Sequence, residues 1–414
     1  MKTLTNLGPA IIVAAVVCGP GSILSASKTG AQFGYSMIWV LIVAVILMIA
    51  CSILSSKIGL TLDGTPCDEI ATHLGRKSAF IVGFTVFLIT AGFQTSNNQA
   101  IVAVLSPVVE NSNHLPFRKF FSLGCIIILN TFLILIVYKS KSLYRPIERT
   151  MKLLIGIMIL AFLMNLIASK PSLAKIVKGI SPSMPPHGIS LPIFALIATT
   201  FSIAGAFYQS YLVRDKGWNV KNINQSTKDS LIGIITLGLI TLIIMLTSAE
   251  NLFGKDIQLI SLNDLSKQLE NLFGQWSSIV FTIGIFAGAL SSFLINAMIG
   301  GRILADGCGI GENINSPWSK HFTCIVLVSG LFGSILFSKA GPFSESSIDP
   351  IIIAQASTIL GAPMLAAALL FLGFKAKKKN NETSYFLLSL VFLGFLVTLA
   401  LAWRTSLGLI EKLS

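Results

Sequence analysis

AAVVCGPGSILSAS, residues 14–27, interrupts a hydrophobic run that otherwise reads as a membrane helix. Pro20 has no backbone N–H, and Gly19 and Gly21 beside it are poor helix formers, so the helix should come apart there. Inside a bilayer an unwound backbone is tolerated only where it is buried in protein or lines a watery cavity. Gly19, Pro20 and Gly21 are therefore expected to form a hinge beside a site.

The rest of the chain supports a membrane setting. Of its 414 residues 53% are hydrophobic and only 11% charged, and mean hydropathy is +0.81. Soluble domains carry about a quarter charged residues. Hydrophobic runs long enough to span a bilayer fall near 7–27, 33–56, 79–105, 118–138, 151–169, 189–213, 230–249, 277–304, 321–338, 350–374 and 384–403. The expected fold is an all-α polytopic membrane protein with eleven transmembrane helices in one domain, 1–414.

The net charge of +13 is explained by its placement. With the N-terminus cytoplasmic, 19 Lys and Arg fall on the inner side and 11 on the outer, including Lys139 to Lys152 and Lys375 to Lys379 inside. This positive-inside bias places the chain in the cell membrane with its C-terminus extracytoplasmic. The bilayer is its implied partner, and nucleic acid is not. The retained first span argues against a cleaved signal peptide, and the six cysteines have no CxxC spacing, so no structural disulfide is expected.

Outside the spans, 170–188 ends in a Pro-rich linker. In 250–276, Leu262, Leu265 and Leu269 fall at helical spacing and predict an amphipathic surface helix. In the sixth span, β-branched and small residues run from Ile197 to Ala206 and predict a second break, with Gly205 as its hinge. Breaks in the first and sixth spans, five apart, are the pattern of inverted-repeat transporters with a site at the midplane. The repeats would be 1–169 and 189–374, with 384–403 an extra eleventh helix.

GPAIIVAAVVCGPGS (8–22), the Gln-Phe-Gly-Tyr of 32–35, GIFAGALSSFLINAMIGGRILADG (284–307) and AQASTILGAPMLA (354–366) resemble the first, second, eighth and tenth spans of the Nramp family of divalent-metal transporters. The resemblance implies a LeuT-type fold, with five plus five inverted helices and broken helices 1 and 6. It also exposes departures. Where the family has a metal-binding Asp and Asn around its first-span Pro-Gly, this chain has Gly19 and Ser22. Where the family has a metal-binding Met followed by Pro-His in the sixth span, it has Phe201, Ser202 and Ile203. The third-span acids that serve proton movement correspond to Gly92 and Thr95. Gln355 alone survives from the residues implicated in metal binding.

All 17 carboxylates fall in loops or at span ends, and the basic residues and histidines are likewise peripheral. The spans instead hold amides and hydroxyls: Gln94 to Gln99 in the third, Ser202, Tyr208, Gln209 and Ser210 in the sixth, Ser291, Ser292 and Asn296 in the eighth, Gln355 in the tenth. Such groups commonly bridge packed helices, but they also suit a neutral polyhydroxylated solute. The expectation is a facilitative transporter of a neutral polar solute such as a sugar. Its site would comprise Gly19, Ser22, Gln94, Asn97, Asn98, Phe201, Ser202, Tyr208, Gln209 and Gln355, with no metal ligand and no cofactor. The alternative is Mg2+ or Mn2+ transport through a remodelled Nramp site, with Ser22, Gln355 and backbone carbonyls holding a partly hydrated ion. A sensor that kept the fold ranks after both. No nucleophile–base pair in the spans suggests an enzyme.

Overall fold

The structure is a computed structural model that describes residues 19–110, 115–139, 141–185, 190–255, 257–311, 313–340 and 347–413. The upstream half of the first span, with Cys18, lies outside the described residues, as do His114, His187, Asp256, Glu312 and Glu345. Among the described residues, nine helical stretches are long and apolar enough to cross a membrane, and a bent pair makes a tenth. They match the expected second to eleventh spans. The second is Ile38–Thr61, the third Arg76–Ser106 and the fourth Phe120–Tyr138. Leu153–Ser169 is the fifth, Leu191–Asp215 the sixth and Val220–Leu252 the seventh. The eighth contains the helix Ser277–Gly307, and Pro317–Phe337, Asp349–Asn380 and Tyr385–Leu407 complete the set. Ile46, Leu88, Ile128, Leu160, Leu239, Phe332 and Leu399 are exposed along them, as helices facing lipid require.

The described part of the first span is the helix Pro20–Phe33, which starts at Pro20 with Gly19 extended at its N-cap. Proline tolerates that position because the first amide of a helix has no partner to lose. Nearly the whole helix is buried, Ser22, Ser25, Ser27 and Thr29 included. It lies so close to the seventh span that a Cβ at Gly30 would sit 2.2 Å from the Met245 carbonyl.

The sixth span is interrupted at Phe201 and Ser202, between Leu191–Thr200 and Ile203–Asp215. Neither proline nor glycine makes this break. Ser202 caps the second half by accepting the Gly205 amide at 3.4 Å, the role Ser plays at helix starts. Gly205, the expected hinge, lies inside that helix, and the break falls ahead of it at Phe201–Ser202. The tenth span changes pitch as well. Asp349–Ser357 gives way to a 3₁₀ turn over Thr358–Gly361 before the helix resumes at Ala362.

One connection adds a helix that was not expected, and another differs from expectation. Leu173–Ile180 is a short helix bent by 114° from the fifth span, packed on the second span where Gly179 abuts the Tyr35 carbonyl. The expected amphipathic surface helix in 250–276 is instead a series of short turns that point Leu262, Leu265, Gln268 and Leu269 into the protein. Gln268 is fully buried, exchanges hydrogen bonds with Ser27 at 3.0 and 3.1 Å, and its carbonyl accepts from Asn165 at 2.7 Å. Polar bonds to the first span hold this segment in, and its leucines follow.

Candidate functional site

Gly19 and Ser22 from the first span meet Thr199 and Ser202 from the broken sixth at one small cavity, closed by Phe93 and Asn97, Ser292 and Asn296, and Gln355. All are buried; the most open, Asn296 and Phe93, are 9% exposed. The cavity measures about 20 Å³, room for about one water-sized body.

Its chemistry is built from oxygens. Gln355 Nε2 donates to Ser96 Oγ at 2.8 Å, while Gln355 Oε1 is buried without a hydrogen-bond partner. A buried acceptor left unmade is costly. The amide lies flat against Gly21, where a Cβ would sit 2.3 Å from Gln355 Cδ. At the sixth-span break no backbone amide of the next helix bonds to the carbonyls of Ala198, Thr199, Thr200 or Phe201. Helix ends leave such carbonyls for side chains, water or ligands. Among the described residues, no thiol, thioether, imidazole or carboxylate lines the cavity.

Charged contacts lie on two sides of the cavity. On one side of the cavity Lys28, buried on the first span, reaches Asp349 at the start of the tenth at 2.5 Å. On the other, Asp306 on the eighth span is fully buried, accepting from Tyr211 at 2.5 Å and from Thr65 at 2.8 Å. Beside it Arg302 grips Asp215 in a bidentate pair, the longer bond 2.8 Å, and lies over the rings of Tyr208 and Tyr211. The sequence places Lys28, Arg302 and Asp306 at span ends and treats them as peripheral; they are buried. Polar residues four apart on the eighth span, Arg302 and Asp306, are the signal that marks an inward-facing charged stripe there.

The expected site residues divide. Gly19, Ser22, Asn97, Ser202 and Gln355 come together at the cavity, joined by Phe93, Thr199, Ser292 and Asn296. Gln94 and Asn98 do not line it. Gln94 donates to the Phe293 carbonyl and accepts from Asn97 at 3.1 Å. Asn98 accepts from Asn130 at 2.7 Å. These amides tie helices together. Phe201 turns its ring away from the cavity into an apolar groove. Tyr208 belongs to the Arg302 cluster, and Gln209, fully buried, has neither side-chain atom bonded.

The natural resistance-associated macrophage protein-like family matches residues 10–407 of this chain. The chain belongs to the Nramp family.

Curated Nramp relatives include a divalent metal cation transporter MntH of Mycobacterium leprae, 24% identical over 310 residues, covering 72% of this chain and 70% of the relative. Another is the MntH of Caldanaerobacter subterraneus, 25% identical over 321 residues, covering 76% and 74%. Among solved structures, the manganese transporter of Eremococcus coleocola, crystallised with an aromatic bis-isothiourea compound, superposes with a TM-score of 0.74 at 18% identity. It covers 99% of this chain and 86% of its own.

These findings overturn the expectation of a neutral polar solute as substrate and partner. The curated Nramp relatives are named divalent metal cation transporters. The error has a physical origin: amide and hydroxyl oxygens suit a sugar hydroxyl and a hard cation equally well. The identity of the relatives separates them.

Proposed function

We propose that this Nramp protein moves a hard divalent cation, Mg2+ or Mn2+, across the membrane by alternating access at the Gly19–Ser22–Gln355 cavity. The observation that carries the reading is Gln355 Oε1, a buried acceptor with no partner, on a side chain that lines a cavity of neutral oxygens. The relatives named as divalent metal cation transporters support the class of substrate.

In this reading the cation exchanges part of its water shell for Gln355 Oε1, the Asn97 and Asn296 side chains and the freed carbonyls at the sixth-span break. Carbonyl and water oxygens suit Mg2+ and Mn2+, while soft metals call for thiolate, thioether or imidazole. The C-terminal end of Leu191–Thr200 adds the partial negative charge of its unpaired carbonyls. The Lys28–Asp349 pair and the Asp306–Tyr211–Thr65 cluster act as alternating latches on the two sides. We assign 1–169 and 189–374 as the two repeats that rock against each other. With the N-terminus cytoplasmic, the Lys28 latch faces outward and the Asp306 latch inward.

Isothermal titration of the purified protein with MnCl2 and MgCl2 tests the reading. Saturable binding to the native chain that is lost in Gln355→Ala supports it. Heats indistinguishable from buffer dilution in the native chain refute it.

A further inference from the structure

A second cavity, larger than the polar one, is apolar. A groove of about 200 Å³ opens between the second, sixth and eleventh spans, and its walls carry almost no polar atoms. We propose that this groove holds one acyl chain of a bilayer phospholipid, packed against the hinge of the sixth span.

Water cannot fill it, because an ordered water needs two to four polar partners. The groove's long wall is a stripe on the second span, Met37, Val40, Ala44 and Leu47. At 1.5 Å per residue it runs about 15 Å, the depth of one leaflet of a hydrocarbon core about 30 Å thick. Val43 lines the groove and is 39% exposed, and the next outward residue, Ile46, is 47% exposed. The side opening therefore faces bilayer chains.

The mouth lies at headgroup depth. Met184 roofs it and is 72% exposed; its neighbour Ser183 is tied down by Trp39 Nε1, which donates to the Ser183 carbonyl at 3.1 Å. Just upstream, the helix Leu173–Ile180 exposes Leu173 and Val177 together with Lys175 and Lys178. Apolar residues beside lysines on a short exposed helix are the chemistry of an interfacial helix among phosphates.

The deep end is Phe201. It caps the first half of the sixth span, and its chain neighbour Ser202 lines the polar cavity. The acyl chain thus packs on the residue about which the sixth span must move, and it supplies the apolar wall that the protein leaves open. This inference stands whichever ion the polar cavity carries.

The test reconstitutes the full chain in vesicles containing phosphatidylglycerol with a diazirine on its acyl tail, followed by irradiation and peptide mapping. Ala44, Leu47 and Phe201 are 2%, 2% and 3% exposed and out of reach of chains that only coat the surface. Adducts at any of these three, abolished in Ala44→Trp and in the milder Ala44→Leu while adducts at Ile46 persist, support the proposal. Native-chain adducts confined to outward residues such as Ile46 and Leu399 overturn it, and so does deep labelling that both filled-groove variants leave unchanged.

Discussion

Gln355 Nε2 donates to Ser96 Oγ at 2.8 Å, so a third-span hydroxyl fixes the orientation of a tenth-span amide that lines the cavity. The amide is thereby held with its carbonyl oxygen unpaired. A group oriented by one helix and left open toward another is pre-organised for a ligand, which then binds without the cost of ordering it.

Removing that oxygen should weaken cation binding selectively. A hydrogen bond or contact to a charged group contributes about 1.5–3 kcal/mol, and about 1.4 kcal/mol is tenfold in affinity. Gln355→Ala is expected to lower Mn2+ affinity by roughly one to two orders of magnitude while the melting temperature barely moves. Ser96→Ala, which releases the amide without deleting it, should give a smaller loss. Calorimetry and thermal melts on the same samples check both.

Gly21→Ala should act on the site through Gln355. The new Cβ would lie 2.3 Å from Gln355 Cγ, Cδ and Nε2, so the whole buried side chain must shift, and its bond to Ser96 breaks at a cost to stability. The shift displaces the amide from its place at the cavity. Cation binding reduced at least tenfold in a chain that folds with a lowered melting temperature is the expected result, and intact binding would show that the contact does not position Gln355.

Ser22→Asp should tighten binding. It places a carboxylate on the cavity wall near the helix N-terminus at Pro20, where negative charge is favoured by about 0.3–1 kcal/mol. A cation held until now by neutral oxygens gains a direct counter-charge. Mn2+ affinity is expected to rise tenfold or more, and turnover to fall as release slows, when binding and vesicle flux are measured together.

Cys67 reports on the latch around Asp306. Burial, reinforced by the Asp306 charge, pushes its thiol well above the usual cysteine range. At neutral pH almost no thiolate exists, and the thiolate is the nucleophile. In a background where Cys67 is the sole cysteine, maleimide labelling should be very slow at pH 7 and remain slow well above it. Tyr211→Phe removes the hydroxyl that bonds Asp306 and Cys67 and that holds the thiol down against burial, so labelling at pH 8 should become slower still. The sign is fixed: a raised pKa means reactivity appears only at higher pH, and losing a donor to the sulfur moves that onset up.

The fold was legible because its signals are local. Spans of about twenty apolar residues announce themselves, and Pro20 between two glycines marks a helix start without tertiary information. The site was legible in part, for a geometric reason. Six consecutive polar residues from Gln94 to Gln99 point in every direction around a helix at 100° per residue. Phe93 and Asn97, four apart, form the stripe that meets the cavity. Gln94 and Asn98, one step round, meet the eighth and fourth spans instead. The sixth-span break was read at Gly205 because glycine is the stronger local signal; Ser202 makes it by capping, a role that shows only once the helix it starts is known. The buried charges Lys28, Arg302 and Asp306 were hidden by their place at span ends, since depth in sequence does not give depth in the packed bundle.

The central claim is cation transport through the Gln355 cavity, and flux into vesicles tests it most directly. Purified protein is reconstituted in liposomes that contain a divalent-sensitive fluorescent dye, and MgCl2 or MnCl2 is added outside. The account predicts saturable influx of one or both ions in native vesicles, with half-saturation moved at least tenfold higher in Gln355→Ala. Influx of neither ion above protein-free liposomes, in vesicles whose protein is folded and inserted, would contradict it.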